Sequence, residues 1–476
     1  MNGRWIRASG IIKLALVILF TITAQTSASH VPNEVILKFK PETPQEIREE
    51  IISQYNCSMT DKCMYADLYL LHVPESQTPE QMISEFENFE EVEYAELNYH
   101  TSLFLVPNDP LYFLQWNLNN NTYGGINIEK AWDIQTGDPN VVIAVLDSGI
   151  AFEDFGIYRK APDLAQTRFV PGYDFVNNDS HPNDDQGHGT HVTGTIAQST
   201  NNNLGLAGIA FNCSIMPVKV IGSEGTGNVF DIADGIYFAA ANDANVINMS
   251  LGTDSNSLAL KQAVEYAWYN GITLVCAAGN SFEDGNQPVF PAAYDEYCIA
   301  VGATRYDETR ADYSNTGSYI DIVAPGGDLN VDQNADNNPD GVLQQTFNGN
   351  PAVLDYWFSS GTSSAAPHVS GAAALLISKG VTKPGKVRLA IEQSADELGP
   401  EGWDMEYGWG LLNIQKALSY KFSGDLTGDL IVDADDLAIF SNHWLMHYEF
   451  PDEADFNKDG IVNFQDFAIM ANNWDK

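Results

Sequence analysis

Three polar residues that could cooperate in nucleophilic catalysis lie at separate glycine-rich turns of this 476-residue sequence. They are Asp147 in Asp-Ser-Gly, His188 in Gly-His-Gly-Thr-His, and Ser363 in Gly-Thr-Ser-Ser-Ala-Ala-Pro. A serine hydroxyl attacks a carbonyl efficiently only when an adjacent base takes its proton, and a carboxylate can orient that base. Ser363 alone could equally be the cap of a buried helix, which is a common role for serine. The other two residues favour the nucleophile.

Each of these residues lies at the end of a predicted strand or helix. The apolar run 141–146 is typical of a strand buried on both faces of a parallel sheet. It places Asp147 at the carboxyl edge, where open α/β sheets build their sites. Small and apolar residues fill 365–377, which predicts a buried helix with Pro367 in its first turn. Ser363 would then lie at a helix N-terminus, where free N–H groups favour developing negative charge.

The three motifs, in the chain order Asp147, His188, Ser363, resemble the subtilisin-family (subtilase) serine proteases over residues 105–420. The resemblance implies an α/β fold with a mainly parallel sheet and helices on both faces. It also implies that His188 is the base and then the acid, and that Asp147 orients the imidazole. The family supplies its oxyanion donor at the Ala-Ala-Gly-Asn sequence that ends the strand 272–277, so Asn280 is the expected donor, together with the Ser363 N–H.

Two glycine-containing segments match the edges between which the family binds an extended peptide. Such binding takes its affinity from main-chain hydrogen bonds and its specificity from side-chain pockets. Both segments could instead be ordinary glycine turns. Val289 falls near the family's floor of the first specificity pocket, where a valine would shorten the pocket. The expected substrate-binding residues are Ser250, Leu251 and Gly252 on one side and Gly225, Thr226 and Gly227 on the other.

Calcium is the structural cofactor that the resemblance implies for the catalytic domain. Asp109, Asp163 and Asn202 match parts of the family's strong calcium site, and carboxylate and amide oxygens suit this hard cation. A second acidic stretch, 328–341, alternates Asp and Asn in the manner of an inserted calcium loop. A solvated flexible loop explains the same composition equally well.

The N-terminal region predicts export followed by maturation. Basic residues before a short apolar run and a small-residue stretch predict a signal peptide over 1–28, the run being short for a membrane anchor. Residues 29–104 predict a small α+β unit with strands and helices in alternation. This unit resembles the ferredoxin-like inhibitor propeptide of subtilases, which the family cuts autocatalytically, here between Tyr99 and Pro107. A permanent N-terminal binding module is the alternative.

The C-terminal residues 421–476 contain an internal repeat with a period of about 30 residues. Each copy carries oxygen ligands at loop positions 1, 3, 5, 9 and 12, followed by an apolar helix, as in calcium loops. The pair resembles a small all-α dockerin, which implies a cohesin-like docking partner, although a charged tail without metal is the alternative. The predicted ligands are Asp425, Thr427, Asp429, Asp433 and Asp436 in the first loop and Asp455, Asn457, Asp459, Asn463 and Asp466 in the second.

Composition agrees with an exported enzyme. With 64 acidic and 23 basic residues the net charge is −41, which argues against nucleic acid and anionic membrane surfaces as partners. Five cysteines form no disulfide framework, although Cys57 and Cys63 are close enough in sequence for a bridge to be considered. We therefore expect a secreted or cell-surface, calcium-dependent serine endopeptidase acting on protein substrates and on its own propeptide.

Two alternatives remain at this stage. A catalytically silent scaffold or binding component of an extracellular assembly could retain the fold, but such proteins usually lack a catalytic residue and none of the four is missing. A serine-carboxyl peptidase would use Glu in place of histidine, and His188 within its full motif argues against it.

Overall fold

The computed structural model describes residues 6–7, 30–63, 65–74, 77–99, 105–118, 124–427, 432–446 and 453–474. Its contacts form two compact units, Ile11–Leu103 and Met1–Gly10 with Phe104–Lys476. Apart from the short strand β1 (Ile6–Arg7), the predicted signal peptide lies outside the described residues, as do residues 100–104 of the expected cleavage region.

The N-terminal unit is a four-stranded antiparallel sheet with two helices. The strand order is β3-β4-β2-β5, which is that of a ferredoxin-like fold, the fold that the propeptide resemblance implied. Apolar residues alternate along β2 (His30–Phe39), so that Val35, Leu37 and Phe39 point into a core completed by Met82 and Phe86. The elements are β2 (His30–Phe39), α1 (Gln45–Gln54), β3 (Ser58–Lys62), β4 (Leu68–His72), α2 (Pro79–Phe86) and β5 (Val92–Tyr99).

One strand of this unit was not predicted. All five residues of β3 are exposed, so the segment lacks the apolar alternation by which a strand is recognised. It pairs with β4 through its backbone at the edge of the sheet. The five cysteines are free thiols, so Cys57 and Cys63 do not form a bridge.

The larger unit is built on a parallel sheet with the order β13-β12-β11-β10-β6-β9-β7, and β8 also pairs with β9. Its elements through the last strand of this sheet are α3 (Ile128–Trp132), β6 (Val142–Asp147), β7 (Arg168–Phe169), β8 (Tyr173–Asp174), α4 (His188–Ala197), β9 (Ser214–Lys219), α5 (Val229–Ala241), β10 (Val246–Met249), α6 (Leu258–Tyr269), β11 (Thr273–Ala277), β12 (Cys298–Thr304) and β13 (Ile322–Pro325).

Helices cover both faces of this sheet. On β6, Ile143 and Val145 pack into a core shared with α4, whereas Ala144 and Leu146 pack on the other face with α5 and α6. This explains the uninterrupted apolar run in the sequence and confirms the predicted α/β architecture.

An antiparallel hairpin follows the parallel sheet. The strands β14 (Val342–Thr346) and β15 (Asp355–Ser359) pair with each other, and β1 pairs with the outer side of β15. The chain then enters α7 (Thr362–Ser378), which is buried in the same core as α4, and continues through α8 (Pro384–Gln393) and α9 (Ile414–Leu418).

The position of Pro367 differs from the prediction. The helix begins at Thr362, so Pro367 lies inside it rather than in its first turn. Proline has no N–H to donate to the carbonyl four residues earlier, which here belongs to Ser363. That carbonyl instead accepts the hydroxyl of Ser250 at 3.0 Å. The hydrogen bond from Ser250 therefore replaces the one that Pro367 cannot make, and it fixes the backbone at Ser363.

The C-terminal residues form two short helices, α10 (Ala434–Asn442) and α11 (Phe464–Asn472). Val432, Phe440, Ala454, Val462 and Met470 make a small core between them. No helix within the described ranges of the chain combines the length and the apolar content that crossing a bilayer requires.

Candidate active site

The predicted catalytic residues lie at element ends along the carboxyl edge of the parallel sheet. Asp147 ends β6, which lies between β10 and β9. Asn280 follows β11 by three residues, His188 begins α4, and Ser363 is the second residue of α7. The sequence-predicted elements therefore end where the site requires them.

His188 and Asp147 form a directed pair. His188 Nδ1 lies 2.8 Å from Asp147 Oδ1 and 3.0 Å from Oδ2, and the Asp147 carboxylate is almost fully buried while the imidazole is 27% exposed. Burial alone would lower the pKa of His188, but the charge and hydrogen bond of Asp147 outweigh burial and raise it above 6.5. Because Nδ1 is bound to Asp147, Nε2 is the nitrogen left to exchange a proton.

The turn before His188 is held by a buried acid that the sequence analysis missed. Asp184 Oδ1 accepts the N–H of Gly187 at 2.8 Å, and Oδ2 accepts the Thr190 hydroxyl at 2.6 Å. Gly187 adopts φ +103°, which a side chain would oppose. An aspartate four residues before a helix entry is the signal that could have revealed this role.

Asp184 also reaches the strand that carries Asp147. The Ser148 hydroxyl donates to Asp184 at 2.9 Å and accepts the N–H of Gly189 at 2.9 Å. The residue after Asp147 and the residue after His188 are therefore tied together through one hydroxyl group.

A fully buried lysine lies beside this network. Lys219 ends β9 opposite Asp147, and its ammonium group donates to the Ser148 carbonyl (2.6 Å), the Ile221 carbonyl (2.8 Å) and Asp185 (2.7 Å). A lysine that ends an otherwise apolar strand was the signal for this role, and the sequence analysis did not use it.

Ser363 and Asn280 face the same small space. A Cβ atom on Gly361 would lie 3.0 Å from Ser363 Oγ and 3.2 Å from Asn280 Nδ2, and Gly361 has φ +148°. A side chain at Gly361 would therefore occupy the space between Ser363 Oγ and the Asn280 amide, which explains why this position is glycine.

Thr362 fixes the orientation of Asn280. Asn280 Oδ1 accepts both the Thr362 N–H (2.8 Å) and the Thr362 hydroxyl (2.9 Å), and the same hydroxyl accepts the N–H of Gly279 at 3.1 Å. With its oxygen held in this way, the amide presents its NH₂ group as a donor. The described hydrogen bonds do not include one between Ser363 Oγ and His188, a contact that is often long before substrate binds.

The predicted substrate edges follow β10 and β9, the two neighbours of β6. Ser250, Leu251 and Gly252 come directly after β10. Gly225, Thr226 and Gly227 lie on a turn closed by the Gly222 N–H and the Thr226 carbonyl at 2.9 Å, with Thr226 and Gly227 exposed.

Val289 lies against the backbone of the first of these edges. One of its methyl groups is 2.3 Å from where a Cβ on Gly252 would lie, and the other is 2.6 Å from where a Cβ on Gly279 would lie. The side chain therefore occupies the space beside both segments, the one after β10 and the one after β11.

The remaining histidines of the motifs are structural in their contacts. His191 Nε2 lies 3.0 Å from the Val342 carbonyl, and His368 Nδ1 lies 2.9 Å from the Ser364 carbonyl. Burial lowers the pKa of His191 to about 3 and that of His368 to about 4, so both rings are neutral at pH 7.

The structure brings Asp109, Asp163 and Asn202 together. Asn202 donates its N–H to Asp109 (3.1 Å) and its side-chain amide to Asp163 (2.9 Å). Burial raises the pKa of Asp163 to about 6 despite hydrogen bonds from Gln198 and Asn202, and the charge of Asp109 adds to the rise. Gln198 Oε1 is buried without a hydrogen-bond partner. Two buried carboxylates and an unpaired amide oxygen fit a calcium ion.

The second C-terminal loop also has an oxygen-rich arrangement. The fully buried carboxylate of Asp466 accepts the N–H of Asn457 (3.1 Å) and that of Asn463 (2.9 Å). Asp455 accepts the N–H of Asp459 at 3.1 Å. Backbone N–H groups of this loop therefore donate to its own carboxylates, and its five predicted ligands carry carboxylate and amide oxygens that suit calcium.

The first loop is organised around Asp436. Burial alone would raise the pKa of Asp436, but backbone N–H groups, among them those of Asp433 and Thr427, outweigh burial and lower it. Thr427 donates its hydroxyl to Asp425 at 3.3 Å. Asp429, the predicted fifth-position ligand, lies outside the described residues.

Within the described part of the chain, no three His, Cys, Asp or Glu side chains converge as a metal-binding group.

Comparison with known proteins identifies the family to which this chain belongs. Residues 138–410 match the model of the subtilase family. The chain belongs to the subtilase family. This subtilase is 36% identical over 393 residues to the thermophilic serine proteinase of Bacillus sp. (strain AK1), covering 82% of this chain and 88% of that protein. It is 38% identical to thermitase of Thermoactinomyces vulgaris, covering 66% of this chain and 99% of thermitase.

Solved structures agree with the fold of the subtilase. A protease from Pseudoalteromonas arctica PAMC 21717 superposes with a TM-score of 0.57 at 35% identity, covering 66% of this chain and 98% of that chain. Fervidolysin from Fervidobacterium pennivorans superposes with a TM-score of 0.54 at 22% identity, covering 84% of this chain and 62% of that chain.

The flanking regions of the subtilase match two further family models. Residues 19–98 match the fervidolysin N-terminal prodomain, and residues 423–473 match the dockerin type I domain. The chain is therefore a subtilisin-type serine endopeptidase with a prodomain and a dockerin, as the sequence motifs indicated. The boundaries at 28, 104 and 420 stay predictions.

Proposed function

We propose that this subtilase is an exported, calcium-dependent endopeptidase in which Ser363 is the nucleophile, His188 the general base and acid, and Asp147 the residue that orients His188. The observation that carries the proposal is the placement of Ser363 and Asn280 around the space beside Gly361, together with the His188–Asp147 pair. It supports one catalytic centre assembled from four separate motifs.

Hydrolysis then proceeds in two stages, acylation of Ser363 and hydrolysis of the acyl-enzyme. Ser363 Oγ attacks the peptide carbonyl carbon while its proton passes to His188 Nε2, and the new oxyanion accepts hydrogen bonds from Asn280 Nδ2 and the Ser363 N–H. The second residue of α7 has no carbonyl within the helix to pair with its N–H. The C–N bond breaks as His188 returns the proton to the leaving amine, and water repeats the sequence on the acyl-enzyme.

The role of Asn280 can be tested without disturbing its support. Asn280→Asp keeps the oxygen that Thr362 binds but replaces the NH₂ donor with an acceptor. We expect kcat to fall by at least about a hundredfold with little change in KM, because the lost interaction forms with the oxyanion; losses of this size are those measured for the donor of subtilisin. Steady-state kinetics on a peptide substrate measure it.

The exposed amide of Gln287, in the same loop, provides the control. Gln287→Leu should leave kcat unchanged, because the side chain is exposed and the hydrogen bond described for it goes to the Gly285 carbonyl. An Asn280→Asp enzyme with wild-type kcat would show that Asn280 is not the donor.

The space beside Gly252 and Gly279 is the proposed pocket for the side chain before the scissile bond. Because Val289 fills part of it, we expect small side chains to be preferred there. Val289→Gly should raise the ratio of kcat/KM for a Phe substrate over the matched Ala substrate by about 10-fold or more, since added apolar contacts in a pocket are worth 1–3 kcal/mol, roughly.

The same substitution at the exposed Val353 should leave that ratio unchanged. If Val289→Gly also leaves it unchanged, Val289 does not border the pocket. Paired peptide substrates that differ only at this position provide the measurement.

Calcium and localisation complete the proposal. Asp109, Asp163 and Asn202 would hold one ion that joins the start of the catalytic domain to the loop after α4. The two C-terminal loops would hold further ions that organise the dockerin. The signal peptide directs export, the prodomain is removed by the enzyme itself, and the dockerin attaches the mature protease to a cohesin-like partner outside the cell.

A further inference from the structure

An additional loop in the catalytic domain lies between β13 and β14. Two backbone hydrogen bonds join its ends. The Asp328 N–H donates to the Asp340 carbonyl at 2.9 Å, and the Asp340 N–H donates to the Val331 carbonyl at 2.9 Å. The sequence left two interpretations of this Asp- and Asn-rich segment, a calcium loop or a flexible solvated loop.

Its first half has the hydrogen-bond pattern of the second dockerin loop. Asp332 accepts the N–H of the residue four positions later (3.1 Å) and of the residue five positions later (3.0 Å). Asp455 accepts the corresponding two N–H groups at 3.1 and 2.8 Å. The first carboxylate therefore bonds to the same loop positions in both segments.

The third and fifth positions correspond as well. Asn334 Oδ1 accepts the Asp336 N–H at 2.9 Å, as Asn457 Oδ1 accepts the Asp459 N–H at 2.9 Å. Asp336 then accepts the N–H two residues on, and Asp459 does the same. The fourth and sixth residues have positive φ in both loops, +59° and +68° here and +58° and +86° in the dockerin.

A separate observation, two buried oxygen atoms without hydrogen-bond partners among the described residues, points to a ligand for this loop. Asp340 is only 1% exposed, and its Oδ1 has no hydrogen-bond partner among the described residues. The buried Oε1 of Gln333 also lacks a partner. Buried acceptors without donors are costly and rare in native proteins, so two of them in one loop call for a bound group that is attracted to oxygen.

Asp340 is directed into the loop. Its Oδ2 accepts the N–H of Gln333, the residue that follows Asp332. In the first dockerin loop, Asp436 likewise accepts the N–H of the second residue, Leu426, at 2.8 Å. Counted from Asp332, Asp340 is the ninth residue, a ligand position in calcium loops, and it makes the contact that Asp436 makes from the twelfth.

We propose that calcium draws Asp332, Asn334, Asp336 and Asp340 together into one site in the catalytic domain, separate from the site at Asp109 and from the dockerin. In the described structure their carboxylates do not converge as a metal-binding group. The ligands are hard oxygens on one short segment, which suits calcium, and backbone carbonyls and water would complete its coordination. This proposal does not depend on the catalytic roles, because binding is measured without turnover.

The position of the loop gives the ion a structural consequence. The strand β14 follows the loop directly and contacts α4 and the residue before it. The Val342 carbonyl lies 3.0 Å from His191 Nε2, and the Thr346 hydroxyl donates to the carbonyl of Gly187. An ion that fixes the start of β14 would therefore stabilise the backbone next to His188.

The test is a count of bound calcium on the full chain. In a Ser363→Ala background, which prevents self-digestion, Asp332→Asn/Asp336→Asn should bind one ion fewer than its parent after equilibration at low free calcium, as measured by elemental analysis. Asp234→Asn/Asp243→Asn, a matched loss of two charges at exposed positions on α5 and in the turn after it, should bind the parental number.

An unchanged count in a double variant with parental circular dichroism would overturn the proposal. If the double variant does not fold, Asn334→Ala decides, because it removes one neutral, partly exposed oxygen. A calcium titration of that variant should show one site weakened at least about tenfold, equivalent to 1.4 kcal/mol or more. A titration identical to the parent's would contradict the site.

Discussion

Replacing Ser363 with alanine is expected to reduce peptide hydrolysis by about a millionfold, the loss measured when the serine of subtilisin is removed. The methyl group cannot attack, and only background hydrolysis assisted by binding remains. The same substitution should leave the precursor uncut between Tyr99 and Pro107, because removal of the prodomain depends on the same centre. Kinetics on a peptide substrate and mass spectrometry of the secreted chain measure the two effects.

The adjacent serine provides the matched control. Ser364 is buried beside Ser363, and its carbonyl rather than its hydroxyl contacts His368. Ser364→Ala should mature and hydrolyse substrate at nearly the parental rate. Addition of active enzyme in trans should cut the Ser363→Ala precursor at the same junction, which shows that the precursor is folded. A purified Ser363→Ala chain that matures alone would contradict self-processing.

Replacing Asp147 with asparagine is expected to lower kcat by about ten-thousandfold at neutral pH, the effect of the same change in a serine protease triad. The amide can donate to His188 Nδ1, which favours the wrong tautomer for a general base. The structure adds a pH effect, because the charge and hydrogen bond of Asp147, with a smaller contribution from the charge of Asp184, raise the pKa of His188 against its burial. The base must be neutral to act, so activity of the parent should be lost as pH falls through a midpoint above 6.5.

In Asp147→Asn the lowering effect of burial on the pKa of His188 remains, the charge of Asp147 is gone, and only the smaller raising effect of the Asp184 charge is left. The acidic limb of the residual kcat/KM should therefore move to lower pH than in the parent. Asp234→Asn removes an equal charge from a distant exposed position and should leave the limb in place, since salt screens distant charges. A limb that does not move in Asp147→Asn would show that another group controls the base.

The sequence was sufficient to predict the parallel sheet and the positions on it of the proposed catalytic residues. Asp147 follows an apolar strand, and Asn280 follows another, so the carboxyl-edge rule for parallel strands placed both correctly. The beginning of α7 could not be predicted correctly, because proline inside a helix is normally unfavourable. Only the structure shows that Ser250 takes the carbonyl that Pro367 leaves unpaired.

The supporting contacts were less predictable because they join residues far apart in sequence. Thr362 holds Asn280 across 82 positions, and Lys219 reaches Ser148 across 71. No local sequence pattern around Thr362 or Lys219 indicates which residue it contacts. The exposed strand β3 escaped prediction for a different reason, since only backbone pairing with β4 defines it.

The most direct test of the catalytic centre is covalent labelling of the mature enzyme with a fluorophosphonate, followed by peptide mapping. An activated serine should take up one phosphonyl group, located on Ser363, and Asp147→Asn should react far more slowly because its base is misdirected. Ser364→Ala should label as the parent does. Labelling at another residue, or none at Ser363 in an enzyme that hydrolyses peptides, would contradict the assignment of Ser363 as the nucleophile.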